Sequence, residues 1–194
     1  MHPNRAFDWA DEAGMLAFVG GVSFATICVD GPAIVHAPLL VAPPDRLLFH
    51  VSHSNRAAAQ LEGARAIASV LGPDAYISPD WYRSADQVPT WNYVAVEAEG
   101  PLRRVEEEEL IAMLDSLSSA HEERLTPKRV WTRDKMAEGR FEAMLKAIVG
   151  FELRIEALRG TRKLGQHKGV EDRQGVADAL AALGRTEAAE LMRP

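Results

Sequence analysis

Five aromatic rings crowd one stretch of the chain. Tyr76, Trp81, Tyr82, Trp91 and Tyr93 include all three tyrosines and two of the four tryptophans. Pro73, Pro79 and Pro89 stand among them, and Thr90 and Asn92 add hydrogen-bonding groups. Rings offer stacking area and prolines stiffen the backbone between them. This mixture suits a flat ligand with polar edges better than it suits plain core. His36, His50 and Tyr76 are further groups able to pass protons.

Three further clusters carry possible chemistry. His50 and His53 are spaced HxxH beside His36, the pattern of a zinc site. No carboxylate or thiol completes that set, so the metal reading is the weaker one. In residues 49–56 a strand gives way to His53, Ser54, Asn55 and Arg56 at the start of a helix. Free amide hydrogens at a helix start attract phosphate, and a guanidinium adds a forked cation. A plain capped helix with an exposed arginine reads equally well from the same residues. Near the end, Lys163, Gln166 and Lys168 are suited to a phosphate or the pyrimidine edge of a flavin; taken alone they make a solvated loop. Neither GxGxxG nor GxxxxGK[ST] occurs, so a nucleotide here is not held by a glycine-rich phosphate loop.

These residues must be positioned by a chain of 194 residues with net charge −6. The acidic balance leaves no electrostatic footprint for nucleic acid, so direct DNA contact is disfavoured. Arg103-Arg104 and Lys128-Arg129 are the basic candidates, and both read as solvated surface. No apolar run reaches the ~18 residues that cross a bilayer, and the first residues lack a signal-peptide core. A lone Cys28 excludes an internal disulfide, points to a reducing cytoplasm, and lies in an apolar run where burial is expected.

Hydropathy patterning predicts a helix over 8–20 stopped by Gly20-Gly21, then strands over 22–29 and 33–42 with a turn at Gly31-Pro32. In a third strand Leu47, Phe49 and Val51 alternate with Leu48, His50 and Ser52, which puts His50 on the opposite face from Phe49. A short helix over 56–62, capped by Ser54 or Asn55, ends at Gly63. A strand over 66–71 leads into the aromatic stretch, read as a loop, and another strand covers 91–99. Helices follow near 106–117 and 134–148, then a strand over 151–158 and a helical tail from about residue 171. The sum is one domain over 1–194: a mostly antiparallel barrel of about six strands with helices around it.

The blocks Gly72-Pro73-Asp74-Ala75-Tyr76-Ile77-Ser78-Pro79-Asp80-Trp81-Tyr82 and Val88-Pro89-Thr90-Trp91-Asn92-Tyr93-Val94-Ala95-Val96 are specific. So, in order, are Phe24-Ala25-Thr26, His36-Ala37-Pro38-Leu39-Leu40, the patch from His50 to Asn55, Ala147-Ile148-Val149-Gly150-Phe151-Glu152 and Lys163-Leu164-Gly165-Gln166. Together they resemble the FMN-binding negative transcriptional regulators of the PaiB type over nearly the whole chain. The resemblance implies a split β-barrel like that of the pyridoxamine-phosphate oxidases, with peripheral α-helices. It also implies a homodimer with FMN at the subunit interface and a regulatory role. The alternative is an FMN-dependent oxidoreductase acting on a small molecule, and a scaffold that has lost its flavin is the third possibility.

By the same resemblance, His36, Leu39 and Leu40 flank the flavin ring, although both leucines also read as ordinary barrel core. His50 and Val51 meet the ribityl chain or ring edge, and Asn55 with Arg56 meets the phosphate. Trp91, Asn92 and Tyr93 come from the partner's strand, with Trp91 and Tyr93 reading equally as dimer anchors. Lys163 and Gln166 close the pyrimidine side, where a cation favours the reduced anion. Three departures from the family pattern stand out. Ala37 replaces Leu in HLP, Arg56 replaces Pro after Asn55, and Gly165 and His167 alter the KLSQN block. The last two fall on the implied flavin contacts.

Overall fold

The computed structural model describes residues 2–31 and 33–194. The turn expected at Gly31-Pro32 is therefore seen only at Gly31, whose φ is +86°; Pro32 lies outside the described residues. The chain forms two compact units. The larger holds Leu16–Val70 and Glu97–Leu158; the smaller holds the chain up to Met15, Leu71–Val96 and Arg159–Pro194.

Helix α1 (Glu12–Val22) runs through Gly20-Gly21 rather than stopping there, and ends where Ser23 turns to a φ of 54°. The strand after it is β2 (Phe24–Val29), since β1 (Asp8–Trp9) precedes the helix. The strand expected over 33–42 is two strands, β3 (Ala33–Pro38) and β4 (Leu40–Ala42). Leu39 makes the break: its N–H donates to the Ser23 carbonyl at 2.9 Å, and its side chain is 1% exposed. Next come β5 (Arg46–Ser52), β6 (Arg65–Ile77), β7 (Thr90–Arg104), β8 (Ile148–Arg154) and β9 (Ala157–Lys163). Among the described residues nine strands thus stand where about six were expected.

In the larger unit the strand order is β3-β2-β6-β7-β8-β5-β4. The pairs β2–β3, β2–β6, β4–β5, β5–β8 and β7–β8 are antiparallel. Alternation decides what each strand buries. Ala25, Ile27 and Val29 point into the core from β2, while Phe24 and Cys28 face out. Cys28, expected inside, is exposed for that reason. Leu47, Phe49 and Val51 are buried on β5, and Phe49 stacks on Phe151 at 5.7 Å between centroids. Burying side chains of this size stabilises the fold by ~1.5–3 kcal/mol each.

Helix α3 (Glu107–Glu123) starts with three glutamates, where the helix dipole favours them, and buries Leu110, Met113 and Leu117. It packs on Leu48, Val105 and Leu145. Gly150 permits the approach, because a Cβ there would lie 2.6 Å from Val105 and 3.0 Å from Leu110. The helix expected over 134–148 is shorter. A 3-10 turn at Arg133–Lys135 is followed by α4 (Arg140–Leu145), and Gly139 between them has a φ of +72°. The helix expected over 56–62 is a single turn, α2 (Ala58–Leu61).

In the smaller unit β1 pairs antiparallel with β9, Asp8 opposite Thr161 and Trp9 opposite Gly160. The first aromatic block is not a loop. Strand β6 continues through Gly72 and Pro73 to Ile77, burying Ala75 and Ile77 and exposing Tyr76. Only Pro79–Trp81 turns, as a 3-10 helix capped by Ser78. The tail is two helices, α5 (Val170–Ala182) and α6 (Thr186–Met192), separated at Gly184 with φ +74°. Gly175 lets α5 pass close to the Pro79–Trp81 turn, because a Cβ there would sit 2.3 Å from the Trp81 carbonyl oxygen.

Candidate functional site

In the larger unit, the outward face of β3, β2 and β6 presents three rows. Cys28 lies between Ile34 and Ile67, Thr26 between His36 and Ser69, and Phe24 beside Pro38. Thr26 Oγ1 and His36 Nδ1 are hydrogen-bonded at 3.1 Å. The polar middle row is thus bordered by exposed apolar side chains: Phe24 is 52% exposed, Ile34 49% and Ile67 38%. An exposed apolar patch of this kind marks an interaction surface. Of this face the sequence reading named only His36 as a ligand contact. The alternation in residues 24–29 was the signal for the rest.

The other candidates of this unit do not share that face. Leu39 and Val51 are buried in the core, and Leu40 packs against the cluster under α3 and α4. His50 and Val51 are neighbours on β5 and so point to opposite sides. His50 lines a cavity of about 350 Å3 together with residues of α3 and α4. Its Nδ1 is enclosed without a hydrogen-bond partner, and burial pushes its pKa below the ordinary histidine value.

Beyond β5, Asn55 Oδ1 accepts the Ala57 N–H at 2.9 Å, so it shapes the turn into α2. One turn of helix offers no sustained dipole, and the helix-start argument for phosphate falls with it. Arg56 remains: it is exposed and has no ion pair or hydrogen bond among the described residues. Two of the other basic candidates are engaged. Arg103 donates to Glu152 at 3.0 Å, and Lys128 pairs with Glu122. Among the described residues no group of three potential metal ligands comes together.

In the smaller unit, Trp91 is exposed, donates its indole N–H to Asp74 at 2.8 Å and meets Tyr76 edge-on at 6.2 Å. Asn92 is buried with its amide 3.5 Å from the Met192 sulfur, while Tyr93 is half-buried. Lys163 Nζ donates to Thr90 Oγ1 at 2.5 Å and to the Trp91 carbonyl at 2.8 Å, and burial lowers its pKa. Gln166 accepts the Leu164 N–H at 2.9 Å and donates to the carbonyls of Arg162 and Ala6. Lys163 and Gln166 therefore tie down the end of β9 and the loop after it. Gly165 between them has a φ of +76°, a conformation glycine adopts without strain. Lys168 lies over the Tyr82 ring at 5.2 Å. The sequence reading missed Asp172, whose carboxylate fixes the residues just after the first aromatic block.

The family model described as "Putative FMN-binding domain" matches residues 1–157. A protein of Bacillus subtilis (strain 168), "Protease synthase and sporulation protein PAI 2", is 32% identical over 170 residues, covering 84% of this chain and 81% of its own length. Among solved structures, an FAD and heme binding protein from Mycobacterium smegmatis superposes with a TM-score of 0.59 at 19% identity, covering 80% of this chain and 73% of that one. The flavocytochrome Anf3 from Azotobacter vinelandii gives 0.54 at 20% identity, covering 83% and 72%. At such identities these two likenesses concern the fold alone. That fold is mainly β with surrounding helices, of the split-barrel kind.

Proposed function

The chain belongs to the FMN-binding domain family, and from that premise we propose that it holds FMN as a homodimer and acts as a flavin-dependent regulatory protein. The observation that carries the reading is the outward face of β3, β2 and β6. Its apolar rows suit a second copy of the chain, and the Thr26–His36 pair between them suits the polar edge of a flavin. Arg56 fits the phosphate, being a free guanidinium just past the end of β5. Trp91 and Tyr93 are the rings available to stack or to anchor the partner, and Lys163 is the cation near them. Leu39 and Val51, lying in the core, contribute through their backbone if they touch the ligand at all. When bound, the isoalloxazine supplies reversible electron acceptance. His36 orients it through the hydrogen-bonding edge, and Arg56 holds its tail.

The regulatory part rests on the relative named for protease synthesis and sporulation. A net charge of −6, with Arg103 and Lys128 paired to glutamates, supports an effect that does not pass through direct DNA contact. Titration with FMN tests the first part: one flavin per chain should bind, with quenching of flavin fluorescence, to a species that sediments as a dimer. Protein that stays colourless at saturating FMN ends the reading. Gel shifts with upstream DNA at physiological salt test the second, and a shift at micromolar dimer would restore direct contact.

A further inference from the structure

His50 shares a face of β5 with Leu48, which is buried in the apolar cluster packed by α3. Gly150 stands opposite it on β8. His50 is half-buried, with Leu114 of α3 and Met144 of α4 lining the same cavity. Its Nδ1 is enclosed and has no hydrogen-bond partner. A neutral imidazole leaves one ring nitrogen without hydrogen, and Nδ1 can be that one. An imidazolium carries hydrogen on both nitrogens, so its Nδ1–H would be enclosed with no acceptor.

No charge around the ring stands ready to offset a proton. Asp115 of α3 and Arg133 line the cavity and pair with each other at 3.4 Å. Ser118 of α3 and Trp131 add a hydroxyl and an indole N–H, both neutral. On the strands, Arg46 of β5 is bonded to Glu152 of β8 at 3.1 Å and to Glu109 of α3 at 2.5 Å. Strand β4 (Leu40–Ala42) carries no titratable group. Arg140 and Glu142 of α4, and Lys146 after it, are exposed to solvent. Burial lowers the pKa of the ring below its ordinary 6.5.

The cover over His50 is thin. In residues 123–147 only Leu145 is buried. Cavities of about 700 Å3 and about 350 Å3 separate this stretch from α3. The Arg133–Asp115 pair between them is half-exposed at both ends, a position where ion pairs contribute little. Few buried contacts make this the part of the larger unit that opens at least cost.

We propose that His50 is an acid-sensitive latch: when its ring becomes an imidazolium, α4 and the segment before it, residues 133–146, lift from α3 and β5. Lifting lets water reach Nδ1–H and leaves the Phe49–Phe151 core in place. The open form takes the proton at the ordinary 6.5 and the closed form only at a lower pH. Closure is therefore at full strength above 6.5 and weakens as pH falls from 6.5 through the closed-state value.

Hydrogen exchange of the full chain, corrected for the intrinsic rate, tests this between about pH 7.5 and about pH 5. The amides of Ala143, Lys146 and Ala147, bonded within α4 and at its end, should lose ~5-fold or more of their protection in acid. Those of β2 and β6 should keep theirs. His50→Leu and His50→Gln, neither able to take the proton, should each abolish the loss. Asp115→Asn should retain it, because the proton is not on that carboxylate. In the parent the loss should level off at the pH where NMR shows the ring of the folded chain protonated. Three results overturn the proposal: protection unchanged in acid, an equal loss in either His50 variant, or a ring that titrates at or above 6.5. The NMR titration needs no substitution, so the test stands even where a variant fails to fold.

Discussion

Asp172 holds Ser84 twice. One carboxylate oxygen accepts the Ser84 N–H at 2.9 Å and the Arg83 N–H at 2.7 Å, and the other accepts the Ser84 hydroxyl at 2.5 Å. The first turn of α5 is thereby tied to the segment that follows Trp81 and Tyr82. The bonds from Ser84 hold the Asp172 carboxyl below the usual aspartate range, and burial of Tyr82 beside it, with the Asp172 charge, raises the phenol.

Removing that carboxylate should loosen the aromatic segment. Asp172→Ala should lower Tm by ~5 °C, the scale for losing charge-assisted hydrogen bonds in a chain of this size. Asp172→Asn, which keeps one acceptor, should lose less. Thermal unfolding followed by aromatic fluorescence reads both; an unchanged melting curve for the alanine variant would mean the clamp contributes nothing.

Acid should weaken the larger unit through Glu152. Arg103, at 3.0 Å, and Arg46, at 3.1 Å, hold its carboxylate below the ordinary glutamate value of 4.5. A group depressed in the folded state contributes its stability in full above the unfolded pKa. That contribution disappears as pH falls through the folded value. Glu152→Gln should therefore be less stable than the parent at pH 7, and the gap should close as pH falls from the ordinary glutamate value of 4.5 through the lower folded one. Denaturant titrations across that range check it, and a gap that widens in acid would reverse the sign.

Arg56→Ala should weaken FMN by ~10- to 100-fold and leave riboflavin nearly unaffected, because only FMN carries the phosphate. Fluorescence titration with both ligands decides. Equal losses would move the phosphate contact to another cation.

Ile67→Glu sets a charge beside Cys28 in the middle of the exposed β3-β2-β6 face. On the proposed homodimer it should raise the dissociation constant by ~100-fold or more, since burying an unpaired carboxylate is costly, while the monomer keeps its melting temperature. Sedimentation equilibrium measures the first and calorimetry the second. A variant that sediments as the parent does would place the interface elsewhere.

The aromatic blocks and the order of motifs were enough to name the family and its cofactor, because such blocks are local strings that carry identity wherever they fold. The alternation in residues 47–52 likewise places Phe49 and His50 on opposite faces, and the fold keeps them there, Phe49 in the core and His50 at the cavity. Local strings failed where a distant partner decides. Gly72 and Pro73 open the stretch read as a loop, yet β6 carries them inside a strand that runs to Ile77. Cys28 read as buried because its neighbours are apolar, and pairing of β2 with β3 and β6 turned it outward with Ile34 and Ile67. Lys163 and Gln166 read as free to meet a ligand, and the fold engages them with Thr90, Trp91 and Ala6. Residue type and period are properties of neighbours along the chain and are legible there. Which donor finds which acceptor across seventy or more positions depends on strand pairing, and only the tertiary structure decides it.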